Sequence, residues 1–149
     1  MINATSLIYS KSAIARIEGI SPKDVVRFEV WVKVVFVIVR GRRPRFYSKK
    51  LFKSHFVNRR REQAYSVEIS RVKGNWYRAE NLKKGTTYDV YALKDAIDCT
   101  CEDYSNQIRF LKKGCCKHGY AVLLHLGFSS LADYVEHQQW ADTSHPLFC

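Results

Sequence analysis

Two closely spaced pairs of metal-binding side chains constrain this 149-residue chain more than any other feature. Cys99 and Cys101 are separated by one residue, and after fourteen intervening residues Cys116 and His118 repeat that spacing. Three thiolates and one imidazole form the donor set of a closed, tetrahedral zinc site. On an extended segment, Cys-x-Cys directs both sulfurs to one side because side chains alternate with period two. The pattern therefore predicts one structural Zn²⁺ bound by these four residues.

Disulfide bonding and simple burial of cysteines are the alternatives to a metal site. Five cysteines are an odd number, no secretory signal is visible, and the chain is long enough to form its own core. Cys115 and Cys149 are predicted not to bind the metal. Cys115 could replace Cys116 as a ligand, but the Cys-x-His spacing would then be lost.

A catalytic metal is a further alternative, which the donor set disfavours. Catalytic zinc usually has three protein ligands and an open position, whereas four good ligands close the site. Neither HExxH nor the deaminase pattern occurs in the sequence. Glu102 and Asp103 lie beside the second cysteine, where we expect solvated turn residues or hydrogen-bond partners of the ligands. We therefore predict that the protein is not an enzyme.

The segment from Cys99 to His118 resembles the SWIM zinc finger family, whose pattern is CxC followed by CxH. The similarity includes the acidic and aromatic residues 102–104 and the apolar segment that Cys116-Lys117-His118 opens. Upstream, Asn75–Ala79 and Tyr88–Tyr91 resemble the paired strands that precede CxC, so the resemblance covers roughly residues 64–128. It implies DNA binding, protein interaction, or both, since SWIM-like modules occur in transposases, chromatin remodellers and recombination factors. Residues 1–63 resemble no family with confidence.

Positive charge is the second strong feature of the sequence. The formal net charge is +11, all 25 Lys and Arg lie in residues 1–117, and residues 118–149 contain three acidic residues and no Lys or Arg. The positive charge is densest between Arg40 and Arg61, where no acidic residue intervenes. Such density is typical of surfaces that neutralise phosphates, and we predict a nucleic-acid partner, with DNA favoured over RNA. The alternatives are an acidic protein partner and a basic surface without a specific partner. The predicted contacts are Arg40, Arg42, Arg43, Arg45, Lys49, Lys50, Lys53, Arg59, Arg60, Arg61, Lys112 and Lys113.

Hydrophobic periodicity predicts one domain of the α+β class, a small antiparallel sheet with flanking helices and a zinc-stapled C-terminal half. Alternation from Val26 to Ile38 predicts a strand, with a long helix from Ser21 to Arg40 as the competing interpretation. Ser48 is a plausible cap for a basic helix over Lys49–Ala64. The remaining predictions are a short helix over Ser10–Ile17, strands over Tyr65–Lys73, Trp76–Ala79 and Thr87–Leu93, a loop over residues 105–114, and helices over Cys116–Leu126 and Leu131–Trp140.

Three parts follow from these patterns. Residues 1–63 form a basic N-terminal part of the domain, residues 64–128 the SWIM-like zinc-binding region, and residues 129–149 an acidic C-terminal helix and tail. Strand aromatics such as Trp76 and Tyr91 could stack on bases, although filling the sheet core is the more ordinary role.

The sequence as a whole predicts a zinc-binding, nucleic-acid-binding accessory protein. The alternative is an adaptor of a recombination, repair or transposition complex, in which the acidic C-terminal helix binds a larger DNA-processing protein. No apolar run approaches the roughly 20 residues of a membrane span, and the N-terminus lacks a signal-peptide core. We therefore expect no membrane partner and a cytoplasmic or nuclear, non-secreted protein.

Overall fold

The computed structural model describes residues 2–143, so the prediction made for Cys149 lies outside the described residues. These residues form two compact units, which divide between Arg59 and Arg60. Each unit combines one antiparallel sheet with helices, and the predicted α+β class is confirmed. None of the helices in residues 2–143 combines the length and the apolarity that a membrane span requires.

The N-terminal unit begins with two short helices. Helix α1 spans Ala4–Ile8 and α2 spans Lys11–Glu18, where a helix was predicted. The Ser10 side chain accepts a hydrogen bond from the backbone N–H of Ala13 at 3.1 Å, which satisfies one of the unpaired donors at the start of α2. Gly19 ends this helix with φ of 69°, a conformation that glycine adopts without steric cost.

Three strands and residues 49–59 of a basic helix complete this unit, and the last turn of that helix, residues 60–63, belongs to the C-terminal unit. The sheet has the order β1-β2-β3, and the Ser48 hydroxyl accepts a hydrogen bond from the backbone N–H of Lys50 at 3.1 Å. The predicted basic helix and its cap are confirmed, with an end one residue earlier than expected. The element bounds are β1 Val25–Val30, β2 Val34–Val39, β3 Arg45–Ser48 and α3 Lys49–Gln63.

The prediction of one strand from Val26 to Ile38 is wrong, because the chain folds into a hairpin there. The backbone N–H of Trp31 donates to the carbonyl of Val34 at 2.8 Å, and β1 and β2 then pair in antiparallel register. The turn reverses the chain, and the odd-numbered residues Val35 and Val37 are the buried ones in β2. The single-strand prediction had placed the even-numbered residues on the buried face. Pairing satisfies the backbone groups of both segments, which neither a lone strand nor the competing helix would do here.

The core of the N-terminal unit lies on one face of its sheet. Val35 and Val37 pack there with Ile14 from α2 and Phe52 from α3. Each of these side chains is almost fully buried, a transfer from water that is worth roughly 1.5–3 kcal/mol per residue. Both helices therefore cover the same face, and the side chains that alternate with the core residues point to the other.

The C-terminal unit contains a four-stranded sheet in consecutive order. The three predicted strands are confirmed, and β7 is an additional strand that the sequence did not indicate. Gly85 turns the chain between β5 and β6 with φ of 65°. The strands are β4 Glu68–Lys73, β5 Trp76–Asn81, β6 Thr86–Ala92 and β7 Ile97–Cys99.

Three helices follow the sheet: α4 Glu102–Leu111, α5 Lys117–His125 and α6 Leu131–Thr143. The predicted loop over residues 105–114 is wrong, since most of it belongs to α4. Cys101 caps this helix, Glu102 and Asp103 suit the positive end of its dipole, and Tyr104 and Gln107 bury one side. The two other helices were predicted correctly within a few residues.

The core of the C-terminal unit brings α5 onto the inner face of the sheet. Val122 and Leu123 of α5 pack with Ala79, Val90 and Ile97 of three strands. The nearly continuous apolar surface of α5 explains this position, because such a helix is stable only when it is buried. Packing along α5 brings its N-terminus to the end of β7.

Candidate metal centre and nucleic-acid interface

The four predicted ligands meet at a junction of one strand and two helix N-termini. Cys99 is the last residue of β7, Cys101 caps α4, Cys116 caps α5, and His118 lies in the first turn of α5. All four are buried, and their ligand atoms lie within 4.8 Å of one another. The fold thus assembles the two short pairs into a single cluster.

The separations within the cluster fit a tetrahedral zinc ion. Nδ1 of His118 lies 3.7 Å from Sγ of Cys99 and 3.8 Å from Sγ of Cys116. Bonds of about 2.3 Å to sulfur and about 2.0 Å to nitrogen place tetrahedral donors roughly 3.5–3.8 Å apart. The cluster is therefore compatible with one structural Zn²⁺.

The imidazole of His118 presents Nδ1 to the cluster. Within the described residues, the buried Nε2 atom has no hydrogen-bond partner, and the Tyr88 ring packs against the imidazole with 4.7 Å between centroids. Since only Nδ1 faces the sulfurs, Nδ1 is the ligand atom that the structure assigns. The proton of the neutral imidazole then resides on Nε2.

Two cysteines of the cluster also serve as helix caps. The backbone N–H of Tyr104 donates to Sγ of Cys101, and that of Gly119 donates to Sγ of Cys116, each at 3.4 Å. The positive ends of two helix dipoles therefore point at two of the sulfurs. The hydrogen bonds from the backbone and the helix dipoles each favour the thiolate form, which is the form that binds a metal.

Thiol contacts redistribute the protons of the cluster. The pKa of Cys101 is lowered, chiefly because Cys116 and then Cys99 hydrogen-bond to its sulfur. The same contacts raise the pKa of Cys99 to about 12 and also raise the pKa of Cys116. The three sulfurs therefore do not ionise independently, and ionisation of all three requires a compensating cation.

Gln107 fastens the loop that carries the second ligand pair. Its side chain is 1% exposed, its Oε1 accepts from the backbone N–H of Cys115 at 3.0 Å, and its Nε2 donates to the carbonyl of the same residue at 3.3 Å. A Cβ at Gly114 would lie 2.6 Å from Cβ of Gln107, so the loop can pass this close only with glycine. The position of Cys116 follows from this attachment.

Arg60 and Asp103 extend the network behind the metal ligands. The guanidinium donates to both carboxylate oxygens of Asp103, from Nε at 2.9 Å and from Nη2 at 2.7 Å. Asp103 also accepts from Gln107 at 3.0 Å, and Arg60 is only 9% exposed. The described partners of Asp103 are thus Arg60 and Gln107 and not the ligands themselves, and Arg60, a predicted nucleic-acid contact, is engaged in a partly buried ion pair.

Cys115 lies next to the cluster without belonging to its four ligands. Its thiol donates to the carbonyl of Cys116 at 3.7 Å, and burial raises its pKa to about 12. A Cβ at Gly119 would lie 2.8 Å from its sulfur, so the first turn of α5 needs glycine to approach it. Cys115 is therefore packed as a neutral core thiol.

The positive charge of the chain is concentrated in the unit that does not contain the metal cluster. The N-terminal unit has 13 Lys and Arg against three Asp and Glu, a formal net charge of +10. The C-terminal unit has 12 Lys and Arg against 11 Asp and Glu, a net charge of +1. The uneven distribution of charge along the sequence therefore corresponds to a difference in net charge between the two folded units.

The predicted basic contacts differ in their surroundings. Arg42 and Arg45 are exposed but pair with Glu18 at 3.0 and 3.6 Å, and the Lys49 ammonium lies 5.5 Å from the Tyr9 ring centroid. Arg61 donates to the carbonyl of Ser129 in the C-terminal unit. Arg59 is half-buried, and the exposed residues without a described side-chain partner are Arg40, Arg43, Lys50, Lys53 and Lys113, whereas the Lys112 ammonium donates to the Arg109 carbonyl.

Sequence reasoning missed the residues that support the ligands. Asp103 and Gln107 are four residues apart, which places them on one side of a helix, but the segment was interpreted as a loop. The partner Arg60 precedes Asp103 by 43 residues. No local pattern connects them.

In a comparison with protein families, residues 88–127, which include all four predicted ligands, match the model of the SWIM zinc finger. The match begins within β6, downstream of the strand at Trp76 that was also expected to belong to it. No curated protein and no solved structure matches the chain.

Proposed function

We propose that this protein, whose residues 88–127 match the SWIM zinc finger, is a non-catalytic nucleic-acid-binding protein, with DNA as the favoured ligand, whose N-terminal unit supplies the electrostatic affinity. The observation that supports this proposal is the net charge of +10 on a unit of 59 residues, against +1 on the unit with the metal cluster. A polyanion is the partner that such a charge attracts most strongly.

Four exposed cations of the N-terminal unit are available for phosphates. Arg40, Arg43, Lys50 and Lys53 have no acidic side-chain partner among the described residues. Arg40 and Arg43 flank the β2–β3 turn, and the two lysines lie on α3. Each phosphate that the protein neutralises releases counterions. On duplex DNA, each such contact makes the slope of log association constant against log salt concentration more negative by about 0.9.

The metal has a structural role in this proposal. Cys99, Cys101, Cys116 and His118 would bind Zn²⁺, which links β7 to the N-termini of α4 and α5. The binding free energy of structural zinc contributes to folding. The carboxylate of Asp103 is engaged by Arg60 and Gln107, which disfavours a role for this residue as a base.

The test is a charge-matched comparison of two fourfold variants. In the first, Arg40, Arg43, Lys50 and Lys53 are changed to Gln, which retains much of each side-chain stem. In the control, Lys73, Arg78, Lys83 and Lys84, exposed in the C-terminal unit, receive the same changes. Affinity for a labelled oligonucleotide is measured by fluorescence anisotropy at several salt concentrations, with zinc content and circular dichroism as checks of folding.

The first variant should lose affinity for the oligonucleotide. Its affinity should also depend less steeply on salt concentration, by the contribution of about three to four phosphate contacts. The control should remain close to the parent. Equal losses in both variants would show that only total charge matters, and parental binding by the first variant would refute the proposed surface. Parallel titrations with DNA and RNA of one sequence test the preference for DNA.

A protein adaptor is the second candidate function. Helix α6 bears Asp133, Glu136 and Asp142, and it exposes 67% of Trp140. Exposed tryptophan is enriched at protein interfaces. Absence of salt-sensitive nucleic-acid binding, together with a partner that survives high salt and is lost in Trp140→Ala, would favour this function instead.

A further inference from the structure

Three aromatic rings contact one another on the outer face of the N-terminal sheet. Phe36 of β2 and Phe46 of β3 are cross-strand partners with ring centroids 5.2 Å apart. Trp31, at the β1–β2 turn, lies 5.7 Å from Phe36 and 5.2 Å from Phe46. Because Val35 and Val37 face the core, the alternating Phe36 lies on the opposite face.

Two of these rings are exposed, and Phe36 between them is partly buried. Trp31 is 46% and Phe46 is 57% exposed, and Val32 beside them is 89% exposed. The core of this unit is complete on the other face of the sheet, so the three rings are not needed to form it. Clustered apolar exposure of this kind marks a binding surface.

The unit that carries the rings has a formal net charge of +10. Arg27 is paired with Ile38 on the outer face, and the exposed Arg40 directly follows the end of β2. The carboxylate of Glu29 is the acidic group on this face. It lies 3.8 Å from the Arg27 guanidinium and accepts a hydrogen bond from the Trp31 indole N–H at 3.3 Å, which fixes the indole.

Flat rings beside cations suit one class of ligand better than others. Unpaired bases stack on aromatic side chains while their phosphates contact Lys and Arg. Paired bases of a duplex expose only their edges and cannot stack in this way. A purely apolar protein surface would gain nothing from the surrounding positive charge.

We infer that Trp31, Phe36 and Phe46 form a stacking platform for the unpaired bases of a single-stranded nucleic acid. This inference rests on the proposed function and specifies its ligand. The stacked pair Trp76 and Tyr91 lies in the C-terminal unit, whose formal net charge is only +1.

The test uses the full-length zinc-loaded protein and three labelled probes: a dT oligonucleotide, a U oligonucleotide of equal length, and a duplex hairpin whose loop is a non-nucleotide linker, so that it presents no unpaired bases. Phe46→Ala is compared with the conservative variant Phe46→Trp. Tyr65→Ala, at an exposed aromatic residue of the C-terminal unit, is the matched control. Affinities are measured over a salt series, because stacking and phosphate contacts respond to salt differently.

Phe46→Ala should weaken single-strand binding by roughly 5- to 150-fold at every salt concentration, with an unchanged salt slope. Phe46→Trp and Tyr65→Ala should bind like the parent, and hairpin affinity should stay the same in all three. The dT and U probes distinguish DNA from RNA as the source of the bases.

Parental single-strand affinity in Phe46→Ala, or an equal loss on the hairpin, would overturn the platform while leaving nucleic-acid binding intact. Failure of the parent to bind any probe would instead refute the proposed function itself. A second variant, Trp31→Ala, guards against a local effect at Phe46 and should show the same selective loss.

Discussion

Arg60 and Asp103 form a two-pronged ion pair directly behind the metal cluster. Both carboxylate oxygens accept from the guanidinium, and the same carboxylate accepts from Gln107, whose amide binds both backbone groups of Cys115. The residue after Cys115 is a metal ligand. The chain of contacts therefore runs from a basic residue at the end of α3 to the loop that positions Cys116.

Loss of this ion pair should loosen the metal site. Arg60→Ala leaves a partly buried carboxylate without its cation, and hydrogen bonds to charged groups contribute about 1.5–3 kcal/mol. Hydrogen–deuterium exchange of the zinc-loaded protein should show faster exchange across α4 and the start of α5. Arg60→Lys, which keeps the charge but not the two-pronged geometry, should lie between this variant and the parent.

The neighbouring Arg61 provides the control for this prediction. Arg61 is exposed and makes one contact to the carbonyl of Ser129. Arg61→Ala should therefore leave exchange in α4 largely unchanged. Indistinguishable exchange in the Arg60 and Arg61 variants would contradict a specific role for the buried pair.

Gly119 and Cys115 should be energetically coupled. Gly119→Ala places a Cβ 2.8 Å from the Cys115 sulfur and 3.4 Å from Cγ2 of Ile97, an overlap that costs about 1–3 kcal/mol. Cys115→Ala removes the sulfur and should recover part of that loss in the double variant. Urea unfolding of the four proteins forms a double-mutant cycle, and strictly additive effects would show that the two side chains do not clash.

Metal affinity should fall as the pH falls. The pKa values of Cys99 and Cys116 are raised, so both thiols hold protons at neutral pH without metal, while the lowered pKa of Cys101 keeps that sulfur ionised. Zinc binding should then release about two protons near pH 7. Calorimetry in buffers of different ionisation enthalpy measures this number, and an affinity that is constant from about pH 6 to pH 8 would contradict the assignment.

The ligand set could be predicted from sequence because its information is local. Cys-x-Cys and Cys-x-His each fix two donors on one side of a short segment, whatever the rest of the chain does. The hairpin with its turn at residues 31–33 could not be predicted from sequence. Its turn contains no Gly, Pro, Asn or Asp, and the alternation of apolar residues continues across it. Helix α4 was missed since its cap, Cys101, was interpreted only as a metal ligand.

The supporting network and the aromatic platform depend on tertiary contacts. In sequence, Arg60 cannot be distinguished from its basic neighbours, which were predicted to contact phosphates. Only its proximity to Asp103 in the folded protein shows that it has a different role. Phe36 and Phe46 meet through a strand register that the single-strand prediction could not produce. In both places, the meaning of a residue is decided by a partner far along the chain.

Cys99, Cys101, Cys116 and His118 form a site for one structural zinc ion, and the zinc content of the protein is the first measurement to make. Elemental analysis of the purified protein should give one zinc per chain, retained in Cys115→Ala and lost in Cys116→Ser, with loosening of the C-terminal unit in the latter. Cys115 and Cys116 are adjacent and both buried. Comparison of the two variants therefore distinguishes the loss of a metal ligand from the loss of a buried thiol. Absence of zinc from the parent, or equal retention in both variants, would contradict the account.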